Sequence, residues 1–241
     1  MPAYRYYVDN PLIINALVKL IGQEHQHFFK VMRGRVGDQI EVVNGRYQLG
    51  FADVLEIKRN ETILNIVKIE TVKPSSFKYI VAQGLAKLNR LEFIVEKCTE
   101  LGATEFWLFP TERSEKHNLT KTQLERLNYI IISAMKQCGR LDAPKLILKP
   151  EFRDWKIDAN ISLFYGDVSE EAPHFSSSLS KIDQTTILFI VGPESGFSIN
   201  ECNEFKERKT HGVKLCDHIL RTDTASITAI AIAQHFHQIN K

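Results

Sequence analysis

Two short segments in the C-terminal third of the chain carry the residues best suited to hold a small polar ligand. The first, residues 192–196, reads Gly-Pro-Glu-Ser-Gly, and the second, residues 219–225, reads Ile-Leu-Arg-Thr-Asp-Thr-Ala. Glycine permits close approach of the backbone to a ligand, and proline stiffens the turn. Each segment follows an apolar run and precedes a helix-like run. The pair therefore predicts a site in which backbone groups bind the ligand, with ordinary strand-to-helix turns as the alternative.

Arg221 lies where the second segment meets the helix that follows it. Its guanidinium is permanently charged and offers several donors in a fixed geometry, which suits it to an anionic group. A surface ion pair with a carboxylate is the alternative for this residue. The next three residues, Thr222, Asp223 and Thr224, can each cap the helix that they precede.

The elements that must position these segments are strands and helices in alternation from Lys78 onward. We predict strands at residues 79–82, 106–109, 161–165, 186–191 and 213–215. We predict helices at residues 89–101, 122–138 and 222–238, and one more that a capping box at 198–201 opens. Asn89 is expected to cap the first of these helices. This alternation predicts a parallel sheet covered by helices.

The first part of the chain shows a different pattern, with strand-like alternation and tight turns. Residues 39–43, 47–57 and 62–69 are predicted strands. Asn44-Gly45 predicts a hairpin because both residues tolerate positive φ, and Arg59-Asn60 predicts a second turn. Together they favour a small antiparallel barrel or sheet that ends near residue 72.

Composition limits the classes of function that this chain can have. The chain has 241 residues and a net charge of +2, which excludes a strongly basic surface over the whole protein. No apolar run reaches the roughly 18–20 residues that span a bilayer. The N-terminal segment lacks the apolar core of a signal peptide, and the four cysteines show no paired spacing, so we expect a cytoplasmic protein with reduced thiols. His235 and His237 do not share a helix face, and no metal site is expected.

Basic residues nevertheless cluster at three places in the sequence. They are residues 30–35, Lys87 with Arg90, and Lys136 with Arg140. A solvated charged face explains any one of them, but three clusters on a nearly neutral chain favour a nucleic-acid partner.

Several short motifs in a fixed order now point to one family. They are His27, residues 31–38, 87–92, 97–102, 112–114, 137–140, 192–198 and 219–225. With these motifs over nearly its whole length, the chain resembles the RsmE family of ribosomal RNA methyltransferases, in the SPOUT superfamily. The resemblance implies a PUA-like β-barrel RNA-binding domain at residues 1–72. It also implies an α/β SPOUT domain with a trefoil knot at residues 73–241, whose parallel sheet is covered by helices.

The resemblance further implies the activity and the partners. The family methylates N3 of one uridine in 16S rRNA of the small ribosomal subunit, near the decoding centre. Its methyl donor is S-adenosylmethionine, and it forms homodimers with the site near the subunit interface. A methyltransferase acting on another RNA such as tRNA, and a non-catalytic RNA-binding or ribosome-assembly protein, are the alternatives. A small-molecule methyltransferase would leave the barrel and the basic clusters without a role.

The residues that this resemblance assigns fall into three groups. The expected catalytic residues are Arg221, which would stabilise negative charge on the uracil oxygens, and Glu194, which would act as a base or orient the substrate. The expected cofactor-binding residues are Leu163, Gly192, Pro193, Glu194, Gly196, Leu215, Ile219, Leu220, Thr224 and Ala225. The expected RNA-binding residues are Arg33, Arg35, Lys87, Arg90, Arg113 and Arg140. The chain departs from the family at Ser195, Cys216 and His218, and these departures bear on cofactor affinity.

Overall fold

The computed structural model describes residues 5–239. Residues 1–4 and 240–241 lie outside this range. The start of the N-terminal segment and both outer ends of the predicted domains belong to these residues. The chain folds into two compact units, residues 1–74 with 132–143, and residues 75–131 with 144–241. The division into functional domains at residue 72 stays a prediction.

The first unit contains one five-stranded sheet. Its strands are β1 (Arg5–Tyr7), β2 (Leu17–Ile21), β3 (Gln39–Val43), β4 (Gln48–Ile57) and β5 (Glu61–Thr71), in the order β1-β3-β4-β5-β2. β1 runs parallel to β3, and the other pairs are antiparallel. The three-stranded antiparallel prediction was therefore incomplete. The strands that it missed are edge strands of three and five residues, too short to show a clear alternation.

All five strands of this sheet face a single core. Tyr6, Leu20, Val42, Val54 and Ile66 each come from a different strand and are buried together. The sheet therefore curls around its own apolar face. A short helix, α1 (Gly22–Gln26), runs into a π-helical turn (His27–Val31) that adds Phe28 to the same core.

The predicted β3–β4 hairpin is present, but its loop differs from the expected two-residue turn. The loop spans residues 44–47, and positive φ occurs at Gly45 (69°) and Tyr47 (65°) rather than at Asn44. The Asn44 side chain instead accepts a hydrogen bond from the Arg46 N–H (2.9 Å). Asparagine therefore shapes this turn through its side chain, because Asx turns satisfy backbone donors locally.

The second unit contains the predicted parallel sheet. Its strands are β6 (Lys78–Gly84), β7 (Glu105–Phe109), β8 (Lys145–Leu148), β9 (Ile161–Gly166), β10 (Thr186–Val191) and β11 (His211–Val213). Their order is β11-β9-β10-β6-β7-β8, and every pair is parallel. The strand predicted at 213–215 was misplaced, because β11 pairs with β9 only as far as Val213 and the chain then leaves the sheet. The four-residue β8 was missed.

Within residues 5–239, five α-helices follow α1: α2 (Leu88–Glu100), α3 (Lys121–Cys138), α4 (Phe175–Leu179), α5 (Ile199–Glu207) and α6 (Thr222–Ile239). The capping box at Ser198 and Glu201 is confirmed. Asn89 does not cap α2, because the helix already begins at Leu88 and Lys87 is its N-cap. The short α4 was missed. No helix within residues 5–239 is long and apolar enough to cross a bilayer.

Candidate functional site

The carboxyl ends of three strands of the parallel sheet surround a cavity of about 870 Å³. Its walls are the loops that follow β9, β10 and β11, and ligands bind at this edge of open α/β sheets as a rule. The cavity is lined by these predicted site residues: Gly192, Pro193, Glu194, Gly196, Leu215, Ile219, Leu220, Arg221, Ala225, Arg90 and Arg113.

A buried glutamine at the end of β6 holds two of these walls together. The Gln83 amide nitrogen donates to the Gly192 carbonyl (3.0 Å) and to the Thr222 hydroxyl (2.9 Å). Its amide oxygen accepts from the Ser226 hydroxyl (2.7 Å), and Thr222 itself donates to the Gly192 carbonyl (2.6 Å). Gln83 thus ties the turn after β10 to the start of α6. Sequence reasoning missed it, although a polar residue directly after the apolar run 79–82 is a usable signal.

The turn at residues 192–196 packs against the backbone of β6. A Cβ atom on Gly84 would lie 2.9 Å from the Pro193 ring, so only glycine allows this approach. Gly196 has a φ of 70°, which is strained for other residues, and open space lies where its Cβ would be. The unusual φ predicted for this turn is therefore present at Gly196, whereas close approach of a ligand to the glycines stays a prediction.

The loop between β11 and α6 leaves its backbone available to a ligand. Lys214 fixes the start of the loop, since its N–H donates to the Pro173 carbonyl (2.9 Å) and its carbonyl accepts from Phe175 (3.0 Å). From 215 to 220, no backbone N–H donates to any other residue in the part of the chain that the structure describes. The Cys216 thiol donates to the His218 carbonyl (3.2 Å) and so shapes the loop from within. Backbone groups that face a cavity without partners can bind a polar ring.

The guanidinium groups of Arg221 and Arg90 differ in whether a carboxylate pairs with them. Arg221 is exposed at the cavity, and within residues 5–239 its guanidinium makes no hydrogen bond or ion pair. Arg90 donates to the buried Asp223 carboxylate (2.5 Å). Burial by itself would raise the pKa of Asp223, but hydrogen bonds from the Thr224 N–H and from Arg90 outweigh it, so the pKa is lowered. Arg221 can therefore receive an anion, whereas the charge of Arg90 is already balanced.

Glu194 and Ser195 are both engaged with neighbouring loops. A Glu194 carboxylate oxygen accepts from the Lys87 backbone N–H at the start of α2 (3.2 Å). The Ser195 hydroxyl donates to the Arg113 carbonyl (2.7 Å), and the Arg113 guanidinium donates to the Ser195 carbonyl (3.3 Å). The Ser195 side chain thus bonds within the protein, in contact with the loop that follows β7.

Some of the expected site residues do not line this cavity. Leu163 lines a second cavity, and the exposed Thr224 makes its contacts with Asp223. Lys87 is exposed and lies 3.5 Å from Glu115. The remaining three, Arg33, Arg35 and Arg140, belong to the first unit.

Within the first unit the three arginines differ. Arg33 and Arg35 are exposed, with no side-chain ion pair among the described residues. Arg140 is mostly buried and pairs with Asp142 (2.5 Å).

Two titratable residues of the cavity wall, Tyr165 and Cys202, favour their neutral forms. Burial raises the pKa of Tyr165 to about 12, and its hydroxyl donates to Asp167 (3.2 Å). Burial also raises the pKa of the Cys202 thiol, with nearby carboxylates adding to the effect. The described part of the chain holds no group of three or more histidine, cysteine or acidic residues that could bind a metal ion.

Comparison with known proteins identifies the family. Residues 73–234 match the model of an RNA methyltransferase domain, which covers well over half of the chain. The chain belongs to this RNA methyltransferase family. Residues 20–67 also match an RNA methyltransferase PUA domain.

Full-length relatives agree with this assignment. The chain is 28% identical to the ribosomal RNA small subunit methyltransferase E of Rickettsia conorii, over 94% of this chain and 93% of the relative. It is 29% identical to the Bacillus subtilis protein of the same name, over 88% and 87%. The RsmE resemblance is thereby confirmed.

A crystal structure of the Neisseria gonorrhoeae ribosomal RNA small subunit methyltransferase E, bound to S-adenosyl methionine, is also similar. It superposes with a TM-score of 0.83 at 25% identity, covering 96% of this chain and 97% of that one. Together with the PUA match, it confirms the expected fold class, a SPOUT α/β domain preceded by a PUA-like domain.

Proposed function

We propose that this chain transfers a methyl group from S-adenosylmethionine to N3 of one uridine in 16S rRNA of the small ribosomal subunit, near the decoding centre. One observation carries the proposal most directly. An RNA methyltransferase domain places an unpaired guanidinium, Arg221, at a cavity where the backbone N–H groups of residues 215–220 have no partner within residues 5–239. The relatives named for small-subunit rRNA methylation support the choice of substrate.

The residues of the cavity fit S-adenosylmethionine. The turn at 192–196 carries no bulky side chain at its two glycines, and the 215–220 loop offers backbone donors and acceptors of the kind that recognise adenine. Leu215 and Leu220 would contribute apolar contacts. When bound, this cofactor supplies a methyl group on a positively charged sulfur. Leu163 and Thr224 lie outside the lining, so the proposal gives them no cofactor contact.

Arg221 has a defined task in this reaction. N3 of uracil must lose its proton before it can accept a methyl group, and negative charge then develops on the uracil oxygens. A guanidinium without an internal partner can stabilise that charge without first breaking an ion pair. Because N3 lies on the Watson–Crick edge, the target base must be unpaired or flipped out when it reaches Arg221.

Glu194 has two possible tasks that experiment can separate. One carboxylate oxygen is anchored by the Lys87 N–H, and the other has no partner within residues 5–239. This second oxygen either takes the N3 proton or orients the ribose or the base. Glu194→Gln can orient but cannot take the proton, so it loses turnover only if Glu194 is the base.

RNA phosphates would be bound by basic residues that have no buried carboxylate partner. Arg113 and Lys87 meet this condition in the second unit, and Arg33 and Arg35 in the first. Arg90 and Arg140 are paired with Asp223 and Asp142, so their net contribution would be smaller. A homodimer and a cytoplasmic location are further parts of the proposal, in keeping with a ribosomal substrate.

The test incubates the protein and S-adenosylmethionine with small ribosomal subunits from a strain lacking this methylation. Mass spectrometry of the digested nucleosides is expected to show new N3-methyluridine. A different methylated nucleoside, or methylation of tRNA instead, would overturn the proposed substrate. Absence of both methyl transfer and cofactor binding by calorimetry would favour a non-catalytic RNA-binding protein.

A further inference from the structure

The loop between β7 and α3 is held by hydrogen bonds at two consecutive residues, Glu112 and Arg113. The Glu112 N–H donates to the Glu201 carboxylate (3.1 Å), and Asn200 donates to the Glu112 carboxylate (3.4 Å). Arg113 is anchored separately by its two hydrogen bonds with Ser195. The first set of bonds holds Glu112 at the start of α5, and the second holds Arg113 at the turn of 192–196.

The tip of this loop is stiffened from inside. The Thr111 N–H donates to the Ser114 hydroxyl (3.2 Å), the Ser114 N–H donates to the Thr111 carbonyl (3.1 Å), and both side chains are buried. Residues 111–114 therefore form a small rigid turn. Such a turn moves as one piece, so the bond from Ser195 to the Arg113 carbonyl fixes the orientation of the whole tip.

Arg113 is the residue whose placement depends on this bond. It is exposed, it lines the cavity, and its guanidinium makes no ion pair within the described residues. A long side chain on an unanchored loop would sample many positions, and binding would then require the loss of that freedom. A loop fixed at its own carbonyl presents the guanidinium in a narrower range of positions.

We propose that Ser195 is a positioning residue that joins the cofactor-binding turn to the Arg113 loop, so that cofactor binding orders Arg113 for contact with an RNA phosphate. This inference rests on the proposed function for the nature of the two ligands. Ser195 lines the cavity, but its hydroxyl is already bonded to the Arg113 carbonyl. Its hydroxyl acts through the Arg113 carbonyl, and any ligand that restrains residues 192–196 also restrains residues 111–114 through this bond.

The first experiment does not depend on catalysis. Hydrogen–deuterium exchange of residues 111–114 is measured with and without S-adenosylmethionine in the wild type, Ser195→Ala and Ser195→Thr. In the wild type, the cofactor is expected to slow exchange in this segment. Ser195→Ala is expected to raise basal exchange there by about two- to tenfold, the effect of one hydrogen bond, and to reduce the response to cofactor, since only the bond from the Arg113 guanidinium to the residue 195 carbonyl then joins the two loops. Ser195→Thr keeps the hydroxyl and is expected to restore both.

The second experiment measures kinetics on small ribosomal subunits that lack the methylation. Ser195→Ala is expected to raise KM for the subunits by about two- to tenfold, a larger change than in kcat or in the calorimetric Kd for S-adenosylmethionine. Ser180→Ala is the matched control, because the Ser180 hydroxyl also donates to a carbonyl, that of Ser177 (2.9 Å), in an exposed turn that does not line the cavity. This control is expected to change none of these quantities.

Two results would overturn the inference. Unchanged exchange of residues 111–114 in Ser195→Ala would show that the bond does not hold the loop. A weaker Kd for the cofactor with unchanged exchange would show that Ser195 contacts the cofactor instead. If the wild type methylates no subunit, the proposed substrate fails, whereas the exchange experiment still decides whether Ser195 couples the two loops.

Discussion

A cavity lies at the amino ends of the parallel strands and another at their carboxyl ends, and the arginine side chain that lines each cavity is bonded differently. The cavity at the amino edge, about 690 Å³, is lined by residues that include Trp155, Gln184 and Arg208. There Arg208 donates to the carbonyls of Trp155 (3.0 Å) and Arg153 and lies 3.5 Å from Glu204. At the carboxyl edge, Arg221 has no such partner in the described chain. Cavity volume therefore does not distinguish the two edges, whereas the bonding of the arginine in each lining does.

The largest expected effect is a loss of methyl transfer when Arg221 is removed, with no such loss when Arg208 is removed. Arg221→Ala is expected to lower kcat for methyl transfer by about 100-fold or more, because it removes a preorganised donor for developing charge. Its free energy of unfolding should change by less than about 0.5 kcal/mol, since the side chain is exposed and unpaired. Steady-state kinetics and urea denaturation check both values.

Arg208→Ala is the matched control at the amino edge. It is expected to lower the free energy of unfolding by about 0.5–1.5 kcal/mol, because the half-buried Trp155 carbonyl loses its donor, with kcat of the folded enzyme unchanged. Near-normal methyl transfer by Arg221→Ala would contradict the role assigned to Arg221.

The next effect compares two glutamines, one at each edge. Gln83→Leu is expected to lower the free energy of unfolding by about 2–4 kcal/mol, because the buried Thr222 and Ser226 hydroxyls and the half-buried Gly192 carbonyl each lose a partner. Affinity for S-adenosylmethionine should fall with it, since the turn after β10 is no longer fixed. Urea denaturation and calorimetry measure the two effects.

Gln184→Leu provides the comparison for this change. Gln184 is exposed and accepts one hydrogen bond, from Ser162 (2.8 Å), so a change below about 0.5 kcal/mol is expected. Equal destabilisation by the two variants would show that the buried hydrogen bonds of Gln83 contribute no more to stability than the exposed hydrogen bond of Gln184.

The smallest expected effect is a difference in how the contributions of two carboxylates, Asp223 and Glu204, to the free energy of unfolding depend on pH. Hydrogen bonds lower the pKa of Asp223 below its usual 3.8 despite its burial, whereas burial raises the pKa of Glu204 above 4.5 despite Arg208. A lowered pKa stabilises the fold above the unfolded-state value, and this contribution is lost as pH falls through the folded-state value. A raised pKa has the opposite sign and costs stability at neutral pH.

Asp223→Asn is therefore expected to destabilise the protein by about 1–3 kcal/mol at pH 7, with the difference shrinking below about pH 4. Glu204→Gln should be neutral or slightly stabilising at pH 7, and its difference should vanish as pH falls below the pKa of Glu204. Urea denaturation at several pH values measures both. If Asp223→Asn destabilised the protein equally down to about pH 2, the pKa of Asp223 would not be the source of its effect.

Local patterns were enough to predict most elements of the second unit. β10 spans the predicted residues 186–191, and the capping box at Ser198 opens α5 where expected. Because buried parallel strands are continuous apolar runs, each can be predicted from its own residues alone. The edge strands β1, β2 and β8 are short, and their pairing depends on neighbours that are distant in sequence.

The candidate site was predictable where glycine and proline impose a backbone geometry, as at Gly196. It was not predictable where one side chain joins distant segments. Gln83 contacts residues more than a hundred positions away, and the partner of Arg90 is the equally remote Asp223. Which arginines are free and which are paired depends on such contacts, so basic clusters in the sequence could not separate Arg221 and Arg113 from Arg90 and Arg140.

Helix α3 begins in one unit and ends in the other, and this affects synthesis on the ribosome. Met135, in the last turns of α3, packs against Val43 and Leu49 of the first unit. The N-terminal sheet therefore leaves the ribosomal exit tunnel before part of its own apolar cover has been translated. At about 5–20 residues per second, several seconds separate Pro74 from Ala143. During translation this apolar surface of the nascent sheet stays uncovered until the last turns of α3 have emerged.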